Sequence, residues 1–262
     1  MMNAKTPGTL RYVVLALAFF AGITLDGFAA DTGGTSGEDV IARELVKRAD
    51  AVRFPQDGFQ VDVVITTIHP GDTPDARKYR VLSKGNENAV VMITEPAAER
   101  GQIMLMKERD LWMFLPDVSQ PVRLALSQRL TGQVANGDLA RANFSGDYVP
   151  TLLRTEIIDG DSYQVLGLTA VDRSVTYQKV VYWVKQSNAW PYKAEFYSLS
   201  NRLLKTAKYQ NYQGMGGKVR PTRLLMEDAL RHGEQSVLDY QNMKLRDLPD
   251  KIFTKDYLKK LE

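Results

Sequence analysis

Residues that could do chemistry are few in this chain, and their setting argues against catalysis. Asp138, Asp147 and Asp159 could pair in space as an acid and a base, yet each adjoins a glycine, the place where turns ordinarily use Asp. The two histidines, His69 in a Pro/Gly-rich loop and His232 before Gly233, are too few for a His-rich metal site. With no cysteine there is no thiolate nucleophile, no disulfide and no lipid-anchored N-terminal Cys. There is no Gly-x-Ser-x-Gly elbow, no His-Glu-x-x-His, no Gly-rich phosphate loop and no metal-ligand spacing. The expectation is a protein that is not an enzyme and holds no cofactor. What does recur is apolar. Met92, Met104, Met106 and Met113 fall in one region with Trp112 and Phe114. Thioethers adapt to neighbours of uneven shape and aromatic rings give a rigid wall. These six residues can form the wall of an apolar binding cavity or simply core.

The element that positions them is the stretch Pro96 to Pro116. It reads as two strands, Ile103–Met106 and Leu111–Leu115, joined by Lys107-Glu108-Arg109-Asp110. The second strand is apolar on both faces, with Trp112 and Phe114 on one and Leu111, Met113 and Leu115 on the other. Such a strand needs two covers, core on one side and something else on the other. Arg100, in the preceding turn, could bond a loop carbonyl to hold a gate, meet the head group of a bound molecule, or be a simple structural tie in the turn.

Upstream, residues 38–53 predict a helix with Ile41, Leu45, Ala49 and Val52 on one stripe, opened by a capping box at Ser36 and Asp39. From Phe59 the period changes to two, and strands follow at 59–66, 78–82 and 89–93 before the hairpin, with 121–126 after it. Residues 130–153 do not alternate. They hold turn and cap residues, including Asp138, Phe144, Asp147 and Tyr148, with short helices possible near 139–143 and 148–153. A connection of this length is a lid or plug against the sheet, or a surface crossover. Strands resume over 163–170, 178–184, 192–198, 203–209, 222–227 and 236–245, and a short helix capped by Thr254 closes the chain, with Phe253, Tyr257, Leu258 and Leu261 inward. The fold expected is mainly β with α segments: about ten or eleven antiparallel strands in meander order, curling round the N-terminal helix to manage their edges.

The chain opens like an export signal. Lys5 and Arg11 precede the apolar run 12–23, and small residues follow at Gly27, Ala29 and Ala30. Residues 1–30 therefore read as a signal peptide cleaved after Ala29 or Ala30, with an uncleaved membrane anchor as the alternative. Residues 31–37 form a flexible lead, and 38–262 a single domain outside the cytoplasm. A net charge of +3 over 262 residues, with 25% charged and 44% hydrophobic residues, gives no electrostatic footprint for nucleic acid.

The series Pro96, Arg100-Gly101, Leu111-Trp112, Leu115-Pro116 and Arg123 is followed by Asn136-Gly137-Asp138 and Asn143-Phe144-Ser145-Gly146-Asp147-Tyr148, and the chain closes with Leu248-Pro249 and Ile252-Phe253-Thr254. This pattern resembles the outer membrane lipoprotein-sorting protein family, similar in fold to the lipoprotein carrier LolA, over residues 38–262. The resemblance implies an incomplete antiparallel barrel with helices plugging its open side and an apolar cavity between. It implies non-covalent carriage of a lipid or lipoprotein acyl chain across the periplasm toward the outer membrane, with a transporter of the resistance-nodulation-division type as a partner. Shielding an acyl chain is worth about 0.8 kcal/mol per methylene, so ~14 methylenes cost about 11 kcal/mol when exposed. The alternative is an adaptor or assembly protein that docks such a transporter and carries no lipid.

Overall fold

The computed structural model describes residues 37–141 and 143–258. The predicted signal segment, all but the last residue of the 31–37 lead, the cap at Ser36, and Leu261 lie outside the described residues. The chain starts with helix α1 (Gly37–Arg53) and continues through β1 (Phe59–Ile68), β2 (Asp75–Lys84), β3 (Asn88–Glu95), β4 (Ile103–Lys107), β5 (Asp110–Phe114) and β6 (Val122–Leu124). A short hairpin, β7 (Arg129–Thr131) and β8 (Val134–Ala135), leads into helices α2 (Asn136–Ala140) and α3 (Phe144–Asp147). Then come β9 (Tyr148–Ile158), β10 (Asp161–Ala170), β11 (Lys179–Lys185), β12 (Pro191–Tyr197), β13 (Leu203–Met215), β14 (Lys218–Asp228) and β15 (Gln235–Leu245). A 3-10 turn (Asp250–Phe253) and helix α4 (Lys255–Leu258) end the described chain.

Thirteen strands form one antiparallel sheet in the order β6-β5-β4-β3-β2-β1-β15-β14-β13-β12-β11-β10-β9. Two meanders thus join where β1 pairs with β15, and the sheet does not close: β6 and β9 are its two edges. This is the expected incomplete barrel, with more strands than the sequence suggested. β9 begins at Tyr148, where a helical turn was expected: its alternation is blurred because an edge strand leaves Val149, Leu153 and Ile157 exposed.

Burial follows strand parity. Val61, Val63 and Ile65 of β1 face inward, while Asp62 faces out and accepts from Arg80 of β2 at 2.8 Å. Helix α1 packs on the inner face, against β9, β14, β11 and β12. Its buried stripe is Ala42, Leu45, Val46, Ala49, Asp50 and Arg53, and Ile41 is exposed. The stripe is turned from the expected one because two charged residues, burying together, belong to it. Arg220 of β14 donates from Nη1 to the Ala51 and Val52 carbonyls at 2.7 and 3.0 Å, a buried cation at the negative end of the helix dipole. Pro55 follows the last turn, and Phe54 stacks on Phe59 with ring centroids 5.7 Å apart.

Candidate functional site

The hairpin is two-sided, as its sequence suggested, and both covers come from the chain itself. Met104 pairs with Met113 and Met106 with Leu111 on the inner face, while Ile103 pairs with Phe114 and Leu105 with Trp112 on the outer. Met104, Met106 and Met113 pack in the inner core with α1 and segment 125–147. Met92, Trp112 and Phe114 pack on the opposite face under Leu248, Ile252, Phe253 and Leu258. The six candidates therefore do not line one wall. Met92 pairs with Ile103 across β3 and β4, and one step of strand parity separates it from the inner methionines. Arg100 is exposed and donates from Nε to the Thr94 carbonyl at 3.2 Å, a tie within its own turn.

Residues 125–147 are the plug. They connect the two edges of the open sheet, from the end of β6 to the start of β9, and form no strand of the main sheet. Leu126, Val134, Ala135, Leu139, Ala140 and Phe144 are buried in the inner core. Phe144 meets Tyr148 and Tyr182 edge-on, each with centroids 5.3 Å apart. Two glycines seat the plug. Gly132 adopts φ +49°, and a Cβ there would lie 2.3 Å from Ser236 Oγ; one at Gly137 would lie 2.0 Å from Thr176 Oγ1.

Charged groups then fasten the plug at three points. Asp138 Oδ2 accepts from Lys205 Nζ at 2.8 Å, Tyr177 OH at 2.6 Å and the Ala135 amide at 2.8 Å. Lys205 also donates to the Gln133 carbonyl. Burial, reinforced by Asp138, holds the Tyr177 hydroxyl well above its usual range, so it is a neutral donor. Asp147 takes a bidentate contact from Arg141 at 2.6 and 2.7 Å and a third bond from Arg109, in the β4–β5 turn, at 3.0 Å. Asp50 of α1 accepts from the Ser145 amide at 2.7 Å and lies 3.4 Å from Arg53, whose guanidinium sits 4.3 Å from the centre of the Phe144 ring. Burial raises the Asp50 carboxyl to about 6 against the pull of Arg53.

Asp138, Phe144, Asp147 and Tyr148 are thus brought together in the plug and its junction with β9. Their partners Asp50, Arg53, Arg141, Tyr177 and Lys205 were not expected from sequence. Lys205 shares inward parity with Ala207 and Tyr209, and Asp50 and Arg53 share the buried helical stripe; those periodicities were the available signal. The carboxylates are each spent on a cation or an amide. Among the described residues no group of His, Asp and Glu gathers as a metal site.

The apolar cavity expected between sheet and helices is filled. Among the described residues the inner-face cavities are small: about 20 Å³ beside Phe54, Val61, Leu139 and Tyr240, about 20 Å³ beside Arg53, Phe144 and Tyr177 and about 10 Å³ beside Tyr209 and Leu224. Each has room for one water-sized group, where small-molecule pockets run ~300–1,000 Å³. The larger spaces are open grooves with charged linings.

An open antiparallel half-barrel holding a helix and a plug on its inner face defines a class of β-rich proteins built round an apolar interior. The chain belongs to the LolA superfamily. It is 68% identical to a LolA superfamily protein of known crystal structure from Nitrosomonas europaea, over 82% of this chain and 98% of that one, with a TM-score of 0.79. Two more distant structures share the fold. A DUF1329 family protein from Desulfovibrio piger is 22% identical (85% of this chain, all of that one, TM-score 0.71). A putative outer membrane lipoprotein-sorting protein domain from Vibrio parahaemolyticus is 20% identical (84% and 99%, TM-score 0.73). A family model described as an uncharacterized protein matches residues 85–260, and no curated protein matches the chain.

Proposed function

We propose that this protein is a periplasmic carrier that holds the acyl chain of a lipid or lipoprotein on the inner face of its half-barrel. Segment 125–147 moves out to admit the chain, and transfer runs toward the outer membrane. The observation that carries the reading is how the interior is filled. An apolar wall that includes Val61, Val63, Val91, Met104 and Met106 is covered by a segment held by side-chain ties and seated glycines, not by strand pairing. An acyl chain replacing Leu126, Val134, Leu139 and Phe144 would exchange one apolar cover for another. The transfer terms then largely cancel, and the cost of opening falls on the ties of Asp138, Asp147 and Asp50. The export-type N-terminus and membership of the LolA superfamily support the compartment and the class. An inner-membrane transporter of the resistance-nodulation-division type is the partner assigned to loading or unloading.

Because the chain has no cysteine, a single engineered pair tests the moving plug cleanly. A Cβ at position 137 would lie 3.1 Å from that of Thr176, a few tenths below the ~3.5–4.5 Å of disulfides. Oxidised Gly137→Cys/Thr176→Cys is expected to lose uptake of a fluorescent fatty acid and regain it on reduction. Wild-type protein purified without detergent is expected to show bound lipid by native mass spectrometry. Uptake that ignores oxidation would overturn the moving plug. No bound lipid and no lipid exchange between vesicles would overturn the carrier and leave the adaptor reading.

A further inference from the structure

Beside the plug lies an open groove of about 290 Å³, walled on one side by the β7–β8 hairpin and on the other by the ends of β13 and β14. Four cations line it, Arg129, Arg202, Lys205 and Arg231, against one carboxylate, Asp228. The charges are not equally committed. Lys205 is buried and compensated from behind by Asp138. Arg231 has an exposed contact with Glu234 at 3.4 Å. Asp228 accepts from the amides of Leu230 and Arg231 at 2.7 and 3.0 Å, which occupies it with its own turn. The guanidinium groups of Arg129 and Arg202 have no hydrogen-bond or ion-pair partner among the described residues, and both residues are exposed. Alongside them the groove has apolar surface from Leu204 and from Leu230, which is 58% exposed.

Two uncommitted arginines on opposite walls, with an apolar strip between, match the two halves of an anionic amphiphile. Guanidinium groups present forked donors that fit phosphate oxygens in pairs. We propose that this groove binds the phosphate of a phosphate-bearing amphiphile, with Arg129 and Arg202 as the binding residues and Leu204 and Leu230 under the first part of its tail. The amphiphile rests on the carrier reading; the anion site does not. Because Arg129 belongs to the plug and Arg202 to the loop before β13, one bound phosphate would bridge the moving segment and the fixed sheet.

The test is calorimetric titration with dodecyl phosphate and, separately, inorganic phosphate, on wild type and on Arg129→Gln/Arg202→Gln. Both substitutions change exposed side chains whose guanidinium groups have no partner among the described residues, so an unchanged melting temperature is the control for folding. Dodecyl phosphate is expected to bind wild type, more weakly as salt rises, and to lose roughly tenfold or more in affinity in the double variant. Inorganic phosphate is expected to compete only at higher concentration. Equal affinity of wild type and variant for dodecyl phosphate would overturn the site. Inorganic phosphate binding as tightly as dodecyl phosphate would overturn the amphiphile and leave a site for free phosphate. Salt-sensitive dodecyl phosphate binding that survives oxidation of the Gly137→Cys/Thr176→Cys pair supports the groove even where interior uptake fails, so the two readings fail separately.

Discussion

Asp50 is the residue at which the cost of organising this interior is easiest to measure. It lies on the buried stripe of α1, bonds the Ser145 amide of the plug and neighbours Arg53, and burial lifts its carboxyl from 3.8 to about 6. An acid whose folded value is raised binds more protons folded than unfolded across that interval. Its contribution to stability is therefore greatest below about pH 4 and is lost as pH rises toward 6. Asp50→Asn removes the titration while keeping an acceptor for Ser145. The difference in unfolding free energy, wild type minus Asp50→Asn, is expected to fall by a few kcal/mol over that window and to be flat above it. Denaturant titrations at a series of pH values read this directly, and a difference that rises with pH would contradict the assignment. Helical spacing from Ala42, Val46 and Ala49 is the only sequence signal for this residue, and it is a weak one. A charged pair in an otherwise apolar stripe looks like the solvated face, so the sequence points to a stripe through Ile41 and Val52 instead.

Elements with a clean period were legible. The switch from a helical stripe to alternation at Phe59 located α1 and β1, and the apolar run around Trp112 announced a strand covered on both faces. The less regular pieces were not: β7, β8 and the whole of β9 carry no alternation long enough to read, since their order comes from contacts distant in sequence, such as Lys205 with Gln133. The second cover of the hairpin was also hidden. It is the C-terminal segment, in which Leu248, Ile252, Phe253 and Leu258 pack on Val90, Ile103, Leu105 and Phe114. Lys84 Nζ ties it at 3.1 Å from the Leu248 carbonyl and 2.7 Å from Asp250, and Lys255 Nζ lies 3.9 Å from the centre of the Trp112 ring. No strand of this segment joins the sheet, so it can part from the outer face without unravelling a ladder. Burying a phenylalanine side chain and then deleting it ordinarily costs ~3–5 kcal/mol, but a segment that opens by itself caps the loss at its own opening free energy. Phe253→Ala is therefore expected to raise binding of a hydrophobic dye and to speed amide exchange over 248–258. The midpoint for the main sheet should move far less than a core phenylalanine would require. Loss of both together in one cooperative step would show that the segment is integral to the barrel.

At the scale of the whole molecule, an open sheet with two edges is spanned by a plug that belongs to neither meander. The N-terminal meander reaches it through Arg109, and through Arg141 donating to the Glu108 carbonyl at 2.5 Å; the C-terminal meander reaches it through Lys205 and Ser236. Opening the plug would unseat side chains from both meanders but break no ladder between strands, so the sheet and the plug should be separable in stability. Gly132 is the position that can show this. Its φ of +49° disfavours any residue with a Cβ, and that Cβ would meet Ser236 Oγ at 2.3 Å and Thr67 Oγ1 at 2.5 Å. Those neighbours are side chains on β15 and β1, where the two meanders join, so relief comes more readily by lifting the β7–β8 hairpin than by shifting the strands. Gly132→Ala is expected to accelerate amide exchange across 125–147 as a unit, leave the protection of β1 and β15 near wild type, and increase uptake of a fluorescent fatty acid. Faster exchange in the plug without greater uptake would mean that the interior, once uncovered, does not accept an acyl chain. Faster exchange throughout β1 and β15 with an unmoved plug is the outcome that a rigid, permanently filled barrel demands, since the strands would then have to absorb the clash.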